Sequence, residues 1–309
     1  MKIYNGLNEF SSDFKVVLTL GTFDGVHIGH QSIIEQLNNF AKKINGESVL
    51  LSFYPHPRHV LYPNDHQLKL LNTIEERMKM LANYGLKHFI VQEFTPKFSR
   101  IKSVNFVRDI LVNQLNVSHL VIGYNHHFGR NREGTFSDLV ELSSLYDYKI
   151  NKVEPKKYKG ISVSSTKIRR LIESGKIVKA NQYLGHSFSF NAKVVKGKSV
   201  GRKIGFPTAN LKIENKWKLN PSPGVYAVKI NINTEIHFGM MNVGVSPTFK
   251  GKELKIEVHV FDFEKDIYEK KVEVFMIDKI RDEINFHSQD DLVSQLKMDE
   301  IKVRKVLKI

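Results

Sequence analysis

The sequence predicts an α/β domain followed by a small antiparallel β domain that ends in a helix. Three observations carry this expectation. Over residues 1–184, apolar β-branched runs alternate with helical patterns, which implies a parallel sheet with right-handed crossovers. From Gly185 onward the pattern changes to short runs of alternating apolar and polar residues, punctuated by Gly, Pro and Asn, as in a barrel or sandwich. The 309 residues suit about two domains of roughly 100–200 residues each. No repeat or low-complexity linker intervenes, so domains 1–184 and 185–309 are expected to abut.

Taken in order, Lys15-Val-Val-Leu-Thr-Leu20 reads as a buried strand. Gln31 to Ala41 carries apolar residues at helical spacing. Glu47 to Phe53 is a second strand, ending at Pro55-His-Pro57. Thr73 to Tyr84 is a helix, with Thr73 as cap and a Glu three residues on. Lys87 to Gln92 is a third strand, Ser103 to Leu115 a helix with Phe106, Val107, Ile110, Leu111 and Leu115 on one side, and His119 to Gly123 a fourth strand. Ligands of such sheets bind beyond the carboxyl ends of strands, where Gly21, Pro55 and Gly123 stand. Ser164 to Leu184 reads as helical with a break at Gly175. The runs 187–195, 224–232, 237–243, 255–261 and 271–277 are strands, and a final helix runs from Gln289 to Leu307.

There are no cysteines, which excludes disulfides and zinc–thiolate sites and fits a reducing compartment. No run approaches the ~20 apolar residues of a membrane span, and Met1-Lys-Ile-Tyr-Asn-Gly lacks the apolar core of a signal peptide. A cytoplasmic protein is expected. The formal net charge of +15 divides into +9 before Gly185 and +6 after it. A nucleic-acid binder more often concentrates its charge in one patch. A diffuse excess fits attraction of nucleotides, or simply a basic soluble protein.

The chemistry centres on Gly21-Thr-Phe-Asp-Gly-Val-His-Ile-Gly-His30, a glycine-rich turn between strand and helix. Glycines let backbone approach an anion, and the free amides of a helix start point at it. Gly21, Phe23, Asp24, Gly25 and Gly29 shape the turn, and His27 and His30 can both face phosphates. His27-Ile-Gly-His30 resembles the HIGH signature of enzymes that attack the α-phosphate of ATP. Fixed donors stabilise the charge that grows on the phosphoryl oxygens in such a reaction. Alone, the pair reads equally as turn histidines or as a metal site. Further on, Ser164, Ser165 and Thr166 place hydroxyls at a helix start, with Arg169 one turn in; these suit a triphosphate or serve as ordinary caps. Gly197-Lys-Ser199 imitates the end of a P-loop, but the glycine that motif requires is Ala192. His126-His127, and His56 with His59, lack the nearby acidic residues of a metal site and read as loop residues. In the second half, Gly201 and Gly205 flank a loop that could fold over phosphates, while Thr208 and Asn210 offer oxygens to Mg²⁺. Glu257 alternates with Ile256 and Val258, and faces either a barrel mouth or water.

Together these blocks resemble the bifunctional bacterial riboflavin kinase/FMN adenylyltransferases, or FAD synthetases, over nearly the whole chain. The first-half markers are Gly21 to Gln31, Phe53-x-Pro55-His-Pro57, Gly123 to Gly129 and Ser164-Ser-Thr-x-Ile-Arg169. Those of the second half are Gly201-Arg-x-x-Gly-Phe-Pro-Thr-Ala-Asn-Leu211, Pro223 to Tyr226, Asn242 to Phe249, Glu257-x-His259 and Arg281-Asp-Glu-x-x-Phe286. The resemblance implies a Rossmann-like nucleotidyltransferase domain, then a six-stranded riboflavin kinase-like barrel. It implies that the barrel phosphorylates riboflavin from ATP, with Thr208 and Asn210 holding Mg²⁺, and Gly201, Lys203, Gly205, Phe206 and Pro207 around the phosphates. Glu257 would be the base, and Arg281 and Phe286 would lie on a loop closing over flavin. In the first domain FMN would attack the α-phosphate of a second ATP held by His27, His30, Ser164, Ser165, Thr166 and Arg169. Pro55, Pro57 and Asn125 would line the flavin side.

Three departures from the family pattern, at Tyr54, Asn125 and His126-His127, touch that flavin side. They leave open a monofunctional riboflavin kinase with a weak adenylyltransferase half. The +15 charge leaves open a flavin- or RNA-binding regulator on the same scaffold. The implied ligands are ATP, riboflavin, FMN and Mg²⁺, without membrane or nucleic acid, and with self-association possible.

Overall fold

The computed structural model describes residues 1–64, 68–124, 127–197, 200–248 and 251–309; the side chains of Val200, Lys203 and residues 246–248 and 251–253 also lie outside the description. The chain forms two compact units, residues 1–69 with 74–164, and residues 70–73 with 165–309. The second unit takes in the helical stretch that the sequence reading attached to the first domain.

The first unit is built on a parallel sheet of β1 (Lys2–Tyr4), β2 (Lys15–Leu20), β3 (Gly46–Tyr54), β4 (His88–Glu93), β5 (Val117–Gly123) and β6 (Lys149–Val153), in the order β1-β4-β3-β2-β5-β6. Its helices are α1 (Ile28–Lys43), α2 (Pro57–Leu61), α3 (Ile74–Asn83), α4 (Ser103–Asn105) and α5 (Phe136–Tyr146). The helix expected over 103–115 is present, but from Phe106 to Gln114 it widens into a π-helix. Strand β2 is buried from Val16 to Leu20, as a central parallel strand covered on both faces must be. One face packs Leu18, Leu20, Leu51 and Leu120 against Phe106, Val107, Ile110 and Leu139. The other packs Val17, Leu50 and Val121 against Ile34, Leu37, Ile74 and Leu81. The chain leaves β2 toward β3 on one side and later returns to β5 on the other. The carboxyl ends of β2 and β5 therefore flank a topological switch point, where such sheets bind ligands. A short hairpin, β7 (Lys157–Tyr158) with β8 (Ile161–Ser162), follows.

The second unit begins with α6 (Ser165–Glu173) and α7 (Ile177–Leu184), separated at Gly175 (φ +71°) as the sequence predicts. Asn181 on α7 donates through Nδ2 to the Met276 carbonyl at 2.9 Å and accepts from the Phe188 amide at 2.8 Å. The strands β9 (Ser189–Val195), β10 (Ala209–Lys212), β11 (Gly224–Ile232), β12 (Glu235–Thr248), β13 (Gly251–Val260) and β14 (Lys271–Arg281) close an antiparallel barrel in the order β10-β13-β12-β11-β14-β9. A short helix, α8 (Val200–Lys203), precedes β10, and α9 (Gln289–Leu307) ends the chain. Tyr226, Met241, Val243, Ile256, Val258, Val274 and Met276 are buried at alternate positions and fill the interior. The opposite face carries Ala227 and Met240, against which α9 packs Val303, Val293 and Leu296, with Phe206 and Phe261 in the same cluster.

Strands β1, β6 and β10 are among the elements that the sequence pattern does not announce, as are helices α2, α5 and α8 and the hairpin β7–β8. The runs of those three strands are short, and Lys149-Ile-Asn-Lys-Val153 alternates weakly. Only pairing within the sheet or barrel makes them strands.

Candidate active sites

The first site is the turn between β2 and α1. Gly21 has φ +148° and Gly25 φ +88°, and even Phe23 and Val26 are held at positive φ. Backbone so far from the usual regions persists only where its surroundings enforce it, which is common at functional sites. The Gly21 amide donates to the Leu51 carbonyl at 3.1 Å, anchoring the turn to β3. His27 caps α1: its Nδ1 accepts from the His30 amide at 3.3 Å. The two imidazoles stack at 3.6 Å between centroids and 16° between planes, and the Phe23 ring lies 4.7 Å beyond His30. Gly29 gives the stack room, since a Cβ there would stand 3.1 Å from the His27 ring and press on it.

Burial, then the nearby His27 and Arg77, lower the His30 imidazole well below its ordinary value of 6.5. His30 is therefore neutral at physiological pH and can both donate and accept. Its Nδ1 is buried with no hydrogen-bond partner among the described residues. An orphaned buried nitrogen costs of order 1–3 kcal/mol, a cost tolerated where a site requires it. The amides of the first turn of α1 add a ready anion site.

Sequence reasoning named Asp24 but missed the rest of the polar layer around this turn. Thr19 on β2 and Ser52 on β3 are buried on the sheet face that α1 and α3 cover. Asp24 is 2% exposed and Arg77 on α3 is also 2% exposed. The Arg77 Nη1 donates to Ser52 Oγ at 3.4 Å. Burial lowers the Arg77 guanidinium, while Asp24, Glu75 and Glu76 act to raise it. The signal was available: Arg77 lies three residues after Ile74 and four before Leu81, on the apolar stripe of α3.

The other first-domain residues are placed as follows. Pro55 and Pro57 stand beyond the carboxyl end of β3, Pro57 opening α2. Asn125, with His126, lies outside the described residues. Ser164 closes the first unit, whereas Ser165, Thr166 and Arg169 occupy the first turns of α6 in the second. His56 caps α2, accepting from the Arg58 amide at 3.2 Å, and His59 Nε2 meets the Leu68 carbonyl at 2.9 Å. Both histidines serve their own loop.

The second site is on the outer face of the barrel. Register makes Glu257 on β13 the direct partner of Asn210 on β10 and of Asn242 on β12. The three side chains form one row across adjacent strands. Ile256 and Val258 point inward and are buried, so Glu257 faces out, on the side where α9 packs. It does not line the barrel interior. The segment before β10 is drawn close: the Phe206 amide donates to the Gly201 carbonyl at 2.9 Å, and the Pro207 carbonyl meets His259 Nδ1 at 2.7 Å. Gly205 turns the chain at φ +81°. A Cβ on Gly197 would stand 2.0 Å from Asn210 Nδ2, and one on Gly201 2.2 Å from the Phe206 carbonyl oxygen and 3.4 Å from Thr208 Oγ1. These glycines cradle the Thr208–Asn210 segment, whose hard, neutral oxygens fit Mg²⁺ shared with phosphates. The Lys203 side chain is outside the description.

Arg281 departs from the loop position expected of it. It is the last residue of β14, and its guanidinium is locked to the wholly buried Asp299 of α9 by Nε at 2.9 Å and Nη2 at 2.7 Å. Gln295 donates to the same carboxylate at 2.8 Å. The strand extends this far because its backbone still pairs with β11, Arg281 opposite Val225. Phe286 lies beyond the strand, its ring 5.9 Å from the Arg281 guanidinium.

Residues 10–167 match the family model described as FAD synthetase, and residues 184–307 the one described as riboflavin kinase. A bifunctional riboflavin kinase/FMN adenylyltransferase of Listeria monocytogenes is 36% identical over 95% of this chain and 93% of its own. The chain belongs to the bifunctional riboflavin kinase/FMN adenylyltransferase family. Other members, from Buchnera aphidicola subsp. Schizaphis graminum and Escherichia coli (strain K12), are 35% and 33% identical, each over at least 97% of both chains. A solved chain described as a macrolide-efflux protein from Streptococcus pneumoniae shares the fold, with TM-score 0.91 and 32% identity over 98% of each chain. In the family member described here, no helix among the described residues is long and apolar enough to cross a membrane.

Proposed function

We propose that the chain makes FAD in two ATP-dependent steps at two separate sites, within catalytic domains at residues 1–184 and 185–309. In the first step Glu257 accepts the proton of the ribityl 5′-hydroxyl of riboflavin as that oxygen attacks the γ-phosphate of ATP, giving FMN and ADP. The observation that carries this reading is the direct pairing of Glu257 with Asn210 beside Thr208. It sets a base next to the oxygens suited to a metal–phosphate complex. Thr208 and Asn210 would hold Mg²⁺, which neutralises phosphate charge when bound. Arg281, fixed by Asp299, supports the flavin end, with Phe286 beside it.

In the second step the FMN phosphate attacks the α-phosphate of another ATP and pyrophosphate leaves. His27, His30 and the first amides of α1 stabilise the charge that builds on the phosphoryl oxygens. Ser164, Ser165, Thr166 and Arg169 are assigned to ATP, while Pro55, Pro57 and Asn125 receive the flavin. The work is performed in the cytoplasm on soluble substrates. Family membership over both halves favours this reading over a monofunctional kinase or an RNA-binding regulator.

The test is a chromatographic time course with riboflavin, ATP and Mg²⁺. Transient FMN followed by FAD is expected. FMN that accumulates without FAD would refute the second step, and no turnover of either flavin would refute both.

A further inference from the structure

The polar layer beneath the Gly21–His30 turn contains one cation, and nothing in the two-step reading assigns it a task. We propose that Arg77 is a positioning residue for adenylyl transfer, holding Asp24 and His30 from behind the turn in the arrangement that receives the triphosphate.

The argument starts from cost. An arginine buried to 2% exposure beside Ile74 and Leu81, with Glu76 of the same helix also buried, is rare without strong compensation. Here the compensation is partial. Nη1 reaches Ser52 Oγ at 3.4 Å, and Nε has no hydrogen-bond partner among the described residues. The charges acting on the guanidinium are Asp24 of the turn, then Glu75 and Glu76 of its own helix, and its own charge reaches His30 of α1. Arg77 thus stands where α3, the end of β3 and the turn converge. Leucine would fill an α3 position between Ile74 and Leu81 at lower cost, so a gain outside packing is required. Two gains are at hand. A buried Asp24 needs a counter-charge to stay ionised within the turn. After burial and His27, the Arg77 cation adds to what disfavours the protonated form of His30, which leaves the imidazole able to donate and accept.

The inference rests on the proposed adenylyl-transfer site, so the experiment separates the two. Arg77→Met, Arg77→Lys and His30→Ala are made in the full chain. FAD formation from supplied FMN is followed against pH, with riboflavin phosphorylation and thermal unfolding measured alongside. Arg77→Met is expected to lose about 10²-fold in kcat for FAD formation, the scale of a misplaced reacting group. KM for ATP should change less, and FMN formation should be retained. Residual activity should fall away at higher pH on acidification than in wild type, because His30 takes up its proton more readily without the neighbouring cation. Arg77→Lys should restore that acid limb. Should Arg77→Met fold poorly, Arg77→Lys carries the test, since it keeps the charge and loses the fork: its acid limb should stay and its kcat fall. Wild-type kcat in Arg77→Met, or a loss with unmoved acid limb, overturns the role of Arg77 alone. FAD synthesis that survives His30→Ala overturns the site and the inference together.

Discussion

At Gly29 two requirements oppose each other. Alanine is favoured over glycine in a helix by about 1 kcal/mol, yet a Cβ here would come 3.1 Å from the His27 ring. Gly29→Ala is therefore expected to leave the melting temperature unchanged or raised while FAD synthesis falls by about 10²-fold. Unchanged activity would show that the ring yields to the methyl. The depressed His30 gives a second prediction with a definite sign. Its folded form resists protonation, whereas the unfolded chain takes up a proton near the ordinary 6.5. Stability should therefore decline as pH falls below about 6.5. His30→Gln should flatten that part of the profile in thermal unfolding measured across pH. Two further substitutions separate the chemistries. Glu257→Gln should abolish FMN formation and spare FAD synthesis from supplied FMN, and His30→Ala should do the reverse; either one stopping both reactions in a folded protein would sink the two-site model. The turn itself was legible in the sequence because its glycines and histidines are contiguous. Arg77 was not singled out: its spacing to Ile74 and Leu81 put it on the apolar stripe, but a charged residue on an amphipathic helix is ordinarily solvated, and the packing of α3 shows it buried.

Elements differ in how far local pattern decides them. Strand β2 and helices α6, α7 and α9 announce themselves by burial period and by the break at Gly175, and their limits agree with the sequence to within a residue. The widening of the 103–114 helix does not, since its apolar positions suit either hydrogen-bond register and tertiary packing chooses. The pairing of Asn210 with Glu257 is equally silent: β10 is four residues long, and its register is set when the barrel closes. The same closure fixes α9. Asp299, wholly buried, accepts from Arg281 and Gln295, so removing it leaves a guanidinium without its counter-charge. Breaking a buried ion pair costs about 3–5 kcal/mol. Asp299→Ala should lower the stability of the barrel unit by that order in denaturant unfolding and weaken riboflavin phosphorylation with it. Destabilisation below about 1 kcal/mol, the scale of an exposed pair, would show that α9 is held by its apolar contacts alone.

For the whole molecule, the division into an α/β half and a barrel half follows from the change of pattern near Gly185. The chain nevertheless folds α6 and α7, and residues 70–73, into the compact unit that holds the barrel. Contacts made far along the chain draw that line, and composition cannot reveal them. The two units also present their backbones to other molecules in opposite ways. In the barrel each strand has a neighbour on both sides, so among the described residues the sheet has no edge strand. The parallel sheet has two rims: β1, only three residues long, and β6, studded with Lys149 and Lys152. Brevity at one rim and charge at the other are what natural sheets use against edge-to-edge aggregation. Concentrated solutions should therefore remain clear through mild heating, until the units themselves unfold, and replacing Lys149 and Lys152 with threonine should bring turbidity on earlier.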